Sequence, residues 1–301
     1  MKHLLKLLDL SKEEIIGILN LADQLKYELG HGIRHPLLAG KTLGMIFQKA
    51  STRTRVSFET GIYQLGGYGL FLSSHDLQIG RGEPVEDTAR VLSRYLDGIM
   101  IRTFDQEEVE TLARVGSIPV INGLTDFCHP CQVLADLMTV REHKGILEGL
   151  KMAYIGDGNN MANSLIVGGL KTGMRVAAAC PDGYRPAQEV LEFAAGYGDA
   201  FTLTADCLEA AAGADVIFTD VWASMGQEGE AEKRRAAFQG YQVNDGLLAA
   251  ANPGCMVQHC LPAHRGEEIT AAVFEAHAKE IFDEAENRLH AQKAVLVTLM
   301  K

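Results

Sequence analysis

Short apolar runs alternate with helix-patterned segments along nearly the whole chain, and that rhythm admits few folds. The runs 42-TLGMIF-47, 68-YGLFL-72, 98-GIMI-101 and 118-IPVI-121 form one series, and 151-KMAYIG-156, 175-RVAAA-179, 215-DVIFTD-220 and 256-MVQHC-260 form a second. The first helical segment opens on a capping box, Ser11 to Glu14. It then places Ile15, Ile18, Leu19, Ala22 and Leu25 on one face and ends at Gly30. Further helices are predicted from about Arg53 to Leu65, from Pro84 in a first-turn position, from about Cys131 to His143, and as one long element over 277–301. Strands separated by helices make parallel sheets with crossover connections. The expected fold class is therefore α/β: two open parallel-sheet α/β domains joined by helices, with an active site in the cleft between them. At 301 residues the chain is about two domains long. The seam falls near 141-REHKGILEG-149, giving one domain over 1–140, completed by a C-terminal helix from about 285 to 301, and a second over 141–284.

Composition narrows the function. A hydrophobic fraction of 47% with 22% charged residues suits an ordinary globular protein with a sizeable core. The net charge of −11 argues against nucleic acid as a partner, and no apolar run reaches the roughly 18 residues of a membrane helix. The N-terminal stretch 1-MKHLLKLLDLSKEE-14 is too short and too charged for a secretory signal, so a cytoplasmic location is expected. Six cysteines in a chain this long suggest no disulfide framework, although Cys128/Cys131 and Cys255/Cys260 are close in sequence.

Ligands of open parallel sheets sit beyond the carboxyl ends of the strands, and here those ends carry chemistry one after another. After 42-TLGMIF-47 come Ser51, Thr52, Arg53, Thr54 and Arg55. A hydroxyl-rich turn opening a helix offers free N–H groups and the positive end of the dipole, and the arginines add charge-assisted donors. A solvated helix start capped by Ser51 is the plainer reading of the same residues. Arg102 follows the third run; Asn122 and then 125-TDFCHPCQ-132 follow the fourth, with His129 and Gln132 one turn apart. The stretch 156-GDGNNMANS-164 resembles a dinucleotide fingerprint but has Met161 where the third glycine belongs, and Asp182 lies late for the ribose-binding acid. Asn159 and Asn160 at that helix start suit an amino-acid head group better. Asp220 and the loop 223-ASMGQE-228 follow the next strand, and 259-HCLPAHRGEE-268 the last. A zinc or redox reading of Cys128, Cys131, Cys255, His259 and Cys260 competes with these, on spacing unlike a zinc knuckle.

Taken in order, STRTR, DTARVLSRY, HPCQ, GDGNN, DVWASMGQE and HCLPAHRGEE resemble the ornithine carbamoyltransferases of the transcarbamoylase family, over essentially the whole chain. STRTR and HPxQ indicate the family; the SMG loop with HCLP points to ornithine as acceptor, whereas the aspartate-specific relatives carry a lysine in the loop around Gln78. The resemblance implies transfer of a carbamoyl group from carbamoyl phosphate to the side-chain amine of ornithine, giving citrulline and phosphate, in arginine biosynthesis or the reverse direction. Another amine, such as putrescine or an acylated ornithine, is the alternative acceptor.

By the same resemblance Ser51, Thr52, Arg53 and Thr54 hold the phosphate, Arg102 and His129 polarise the carbonyl, and Gln132, Arg288 and the backbone of Cys260 and Leu261 take the amino end. Pro130 and Cys131 belong to the same carbamoyl phosphate turn, and Gln78 reaches a neighbouring subunit's phosphate in a homotrimer. For ornithine it implies Asn160, Asp220, Ser224 and Met225, with Cys260 beside the reacting amine and Asp220 with Cys260 assisting its deprotonation. The loop 223–228 is expected to close over the acceptor, hinged at Gly226. The chemistry calls for no metal and no cofactor. The charged segment 229-GEAEKRRAAFQG-240 has no reading from sequence.

Overall fold

The computed structural model describes residues 1–223 and 228–301, and the chain divides into two compact units: Met1–Ala135 with Asn287–Lys301, and Asp136–Glu286. In chain order the elements are α1 (Lys12–Gly30), β1 (Thr42–Phe47), α2 (Thr52–Gln64), β2 (Tyr68–Ser73), α3 (Val85–Leu92), β3 (Gly98–Arg102), α4 (Gln106–Val115), β4 (Val120–Leu124) and α5 (Pro130–Lys144). There follow β5 (Lys151–Ile155), α6 (Asn160–Lys171), β6 (Arg175–Ala179), α7 (Gln188–Ala195), β7 (Phe201–Thr204), α8 (Cys207–Ala211), β8 (Val216–Thr219), α9 (Ala231–Ala237), α10 (Asp245–Leu248), β9 (Met256–His259), α11 (Ala271–Ala276) and α12 (Ala278–Met300). The division into units falls within α5 and again within α12. Among the described residues no helix is long and apolar enough to cross a membrane.

The first unit holds a four-stranded parallel sheet in the order β2-β1-β3-β4. After the half-buried Thr42 its inner strands are buried, as strands covered on both faces must be; Arg102 is the one charged residue in them, and it terminates β3. The outer flank of β4 is covered by the N-terminus, where Leu4 N–H donates to Val120 O at 2.9 Å and Leu4 O accepts from Asn122 N–H at 2.8 Å. Helix α1 carries the predicted capping box, Ser11 and Glu14 exchanging side-chain and backbone bonds, and buries Ile15, Ile18, Leu19, Ala22 and Leu25. Because β1 feeds β2 on one side and β3 lies on its other side, the strand order reverses between β1 and β3. Their carboxyl ends flank that reversal, where open α/β sheets bind ligands.

The second unit holds a five-stranded parallel sheet in the order β7-β6-β5-β8-β9. Its order reverses between β5 and β8, so the corresponding position is lined by Gly156–Asn160 and Asp220. The edge strand β9 is protected by carboxylates of α12: Glu280 accepts from Val257 N–H and Glu284 from His259 N–H, both at 2.9 Å.

Three expectations change. Pro84 stands at the N-cap of α3, one residue before its first turn, with extended backbone at φ −57°, ψ 139°. The strand predicted at 118–121 runs over Val120–Leu124, because Ile118 and Pro119 form the approach to it. The strand β7, four residues at the edge with none of them buried, had no apolar run to announce it.

Candidate functional site

In the first unit, the turn after β1 becomes the start of α2. Ser51 is its N-cap, accepting from Thr54 N–H at 3.2 Å, so the capping and anion-binding readings describe one arrangement: the cap fixes the turn and leaves the other first-turn N–H groups facing outward. Thr54 is buried, and its hydroxyl oxygen accepts from two guanidiniums, Arg102 Nη1 at 3.5 Å and Arg288 Nη2 at 3.1 Å. With those donors on its lone pairs, the hydroxyl proton is left to point at a third group. Arg288 also donates through Nη1 to Gln132 Oε1 at 2.5 Å. Strand β3 therefore supplies Arg102, α5 supplies Gln132, and α12 brings Arg288 to the same threonine.

His129 precedes α5 and is buried among these groups. Desolvation first, then the charges of Arg288, Arg102 and Arg53, hold its pKa well below the usual imidazole range. It is a neutral imidazole, a donor that carries no charge of its own. Of the other predicted residues, Arg53 is half-buried, Thr52 is exposed, Pro130 opens α5, and Gln78 is exposed in a single 3-10 turn over Gln78–Arg81.

One expectation fails here. Arg55 turns away from the cluster: it lies over the Phe71 ring at 3.6 Å and pairs with Glu59 at 3.1 Å, because residues two apart on a helix face different directions. The Cys131 thiol is turned to a backbone carbonyl, Asn122 O at 3.4 Å, and burial pushes it up to about 12. Cys128 behaves likewise, donating to Leu5 O at 3.5 Å with a pKa about 12, so this C-x-x-C is two protonated packing thiols and not a redox or metal pair.

In the second unit the centre is Asp220. Its Oδ1 accepts from its neighbour Val221 N–H at 2.8 Å and from the Cys260 thiol at 3.1 Å, while Oδ2 accepts from Asn159 Nδ2 at 2.9 Å. Asn159 is also the N-cap of α6, accepting from Met161 N–H at 2.9 Å and Ala162 N–H at 3.3 Å. Asn160, expected to bind ornithine, is the first residue of α6 and buried. Burial and then the adjacent Asp220 charge raise the Cys260 thiol well above its usual pKa. Cys255 is separate, donating to Met256 O at 3.4 Å.

Next to Cys260 the chain turns sharply: Leu261 has φ 59°, a left-handed conformation a non-glycine residue adopts only under constraint. His259 supplies it. Its Nδ1 accepts from Leu261 N–H at 2.9 Å, which places the ring proton on Nε2, directed at Glu268 Oε1 at 3.0 Å.

The dinucleotide reading is overturned sterically. A Cβ on Gly158 would stand 2.2 Å from Arg185 C and 2.3 Å from Pro186 N, and Gly158 N–H donates to Tyr184 O at 2.8 Å. The close approach that the second fingerprint glycine offers a pyrophosphate is taken by the chain's own 184–186 segment. Asn163, which sequence left without a role, holds that segment by accepting from Ala187 N–H at 2.9 Å.

The description "Aspartate/ornithine carbamoyltransferase, carbamoyl-P binding domain" matches residues 2–142, and "Aspartate/ornithine carbamoyltransferase, Asp/Orn binding domain" matches residues 148–299. The chain belongs to the aspartate/ornithine carbamoyltransferase family. Within that family it is 59% identical to the ornithine carbamoyltransferase of Oceanobacillus iheyensis, over 99% of this chain and 94% of that protein. Among solved structures it is similar to the ornithine carbamoyltransferase of Pyrococcus furiosus, with TM-score 0.95 and 53% identity, covering 99% of this chain and 97% of that one. The anabolic enzyme of Campylobacter jejuni gives TM-score 0.94 at 45% identity, covering 99% of each chain.

Sequence reasoning named Asn159 only as a head-group candidate and His259 only as a zinc candidate, and it gave Glu268 and Arg234 no role. Arg234, in the charged segment that had no reading, is buried: its Nη1 donates to Asp157 Oδ2 at 2.7 Å and to Trp222 O at 2.9 Å. Asp157 is raised to about 6 by burial, against the opposing pull of Arg234. Ser224 and Met225, with most of the loop around them, lie outside the described residues.

Proposed function

We propose that this protein transfers the carbamoyl group of carbamoyl phosphate to the side-chain amine of L-ornithine, releasing L-citrulline and phosphate. The observation that carries the donor half is the Thr54 hydroxyl accepting from both Arg102 and Arg288 beside a neutral His129. Ser51, Thr52, Arg53 and the first N–H groups of α2 receive the phosphate. Thr54, Arg102 and His129 face the carbonyl oxygen, on which negative charge builds as the amine adds, and Gln132 with Arg288 takes the amino end. Each well-placed donor of this kind lowers such a barrier by about 3 kcal/mol.

The acceptor half is centred on Asp220, supported by Asn159 and Cys260. An amine of ordinary lysine-like pKa costs about 4.6 kcal/mol to present neutral at pH 7. Asp220 recognises the ammonium form. The Cys260 thiol, already protonated and donating to Asp220, orients that carboxylate and is not the base. Activity per site is therefore expected to rise from pH 6 to 9 with ornithine saturating, and a flat profile would remove this account of the amine. The deciding assay supplies carbamoyl phosphate with ornithine, putrescine, aspartate or N-acetylornithine in turn. Consumption is expected with ornithine, and preference for any other amine overturns the assignment.

The same reading makes the protein a cytoplasmic homotrimer, with Gln78 reaching a neighbour's phosphate. Cysteines that are free among the described residues suit a reducing compartment, and exposed Val56, Phe71, Val91 and Tyr95 in the first unit give the apolar area that a subunit contact covers. Light scattering that returned a monomer mass would refute the trimer.

A further inference from the structure

Two buried polar residues of α12, Gln292 and Lys293, lie outside every role assigned above, and both face α2. Helix α2 meets them with Thr54, Ser57, Gly61 and Gln64, spaced three, four and three residues apart and so on one face. Arg288 Nη2 donates to Thr54. One turn on, the Gln292 amide satisfies both its neighbours when its nitrogen faces Ser57 Oγ at 2.5 Å and its oxygen accepts from Arg288 Nη2 at 2.9 Å and Nε at 3.2 Å. The Lys293 stem then crosses Gly61, where a Cβ would come within 3.2 Å of it, and its ammonium donates to Gln64 Oε1 at 3.0 Å. On its other side the ammonium donates to His35 Nε2 at 3.0 Å, and His35 Nδ1 faces Glu28 Oε2 at 2.9 Å. A buried ammonium and a carboxylate of α1 thus flank one imidazole.

Buried charge and amide seldom add net stability over apolar side chains of similar volume, and their return is a unique geometry. Here the geometry governed is that of α2, whose N-terminus is the phosphate half-site, and of the Arg288 guanidinium. We propose that Gln292 and Lys293 are positioning residues for carbamoyl phosphate: Gln292 fixes the plane of Arg288, and Lys293 pins the far end of α2. This deepens the donor assignment and rests on it.

The test uses the full-length protein with Gln292→Leu, Gln292→Glu, Lys293→Met and Arg288→Ala. KM for each substrate, kcat, the Kd for inorganic phosphate and the thermal midpoint are measured on each variant. Gln292→Leu is expected to raise both the KM for carbamoyl phosphate and the phosphate Kd about tenfold, as for one lost charge-assisted bond. The KM for ornithine should not move. Gln292→Glu keeps an acceptor for Arg288 and should restore phosphate affinity. Lys293→Met is expected to give about a threefold loss confined to carbamoyl phosphate and phosphate. Should that variant fail to fold, Gln64→Met removes the same bond from α2 and must show the same selective loss. Wild-type affinity for carbamoyl phosphate in folded Gln292→Leu and Lys293→Met overturns the proposal, as does a loss shared equally by ornithine. Arg288→Ala with undiminished phosphate affinity would overturn the donor assignment itself, and this inference with it.

Discussion

The Cys260 thiol donates to Asp220 Oδ1 across 3.1 Å, and its pKa is driven far above that of a free cysteine by burial and then by that same carboxylate. Alkylation by iodoacetamide needs the thiolate. The modification rate at this position, followed by mass spectrometry, is therefore expected to stay low and nearly flat from pH 7 to 9, where a free thiol accelerates. Cys260→Ser, which keeps a donor to Asp220, should retain more activity than Cys260→Ala.

Thr54→Val keeps the volume at the donor site and removes the oxygen that both guanidiniums share. Loss of one such donor is expected to lower kcat/KM for carbamoyl phosphate by about two orders of magnitude. Steady-state kinetics should show the KM for ornithine nearly unchanged.

His129 has its pKa depressed by burial and by Arg288, Arg102 and Arg53. The folded state therefore binds that proton more weakly than the unfolded chain. The stability contributed by the neutral ring is complete above about pH 6.5 and is lost as pH falls below it, with a slope of at most about 1.4 kcal/mol per pH unit. His35, also lowered, first by burial and next by Lys293, adds in the same sense. Urea unfolding of His129→Gln between pH 5 and 7 should show a shallower loss than the parent; an equal slope would assign the acid sensitivity elsewhere.

Arg234→Leu strands Asp157 in a buried site. Breaking one side of such a pair costs about 3–5 kcal/mol. Because Asp157 already sits at about 6, the double variant with Asp157→Asn should recover part of the loss by removing the stranded charge. Denaturant midpoints of the single and double variants check this directly.

Much of this is legible in the sequence. The β-type runs and the capping box locate strands and helices because burial periodicity is local, and parallel topology then sends attention to strand ends, where Arg102, His129, Gln132 and Asp220 lie. What could not be read depends on partners far apart in the chain. Arg234 meets Asp157 across 77 positions, and nothing near either residue announces the other. That Asn159 grips Asp220 goes with its capping α6, a matter of one residue's backbone angles. Arg53 and Arg55 look equivalent as letters and diverge as soon as the helix turns.

The backbone at 184–186 overlaps the place a side chain would occupy at Gly158. Converting this scaffold to redox work would thus have to begin with a deletion: until that strip of polypeptide is cut away, no change of letters in the glycine turn can admit a nicotinamide coenzyme.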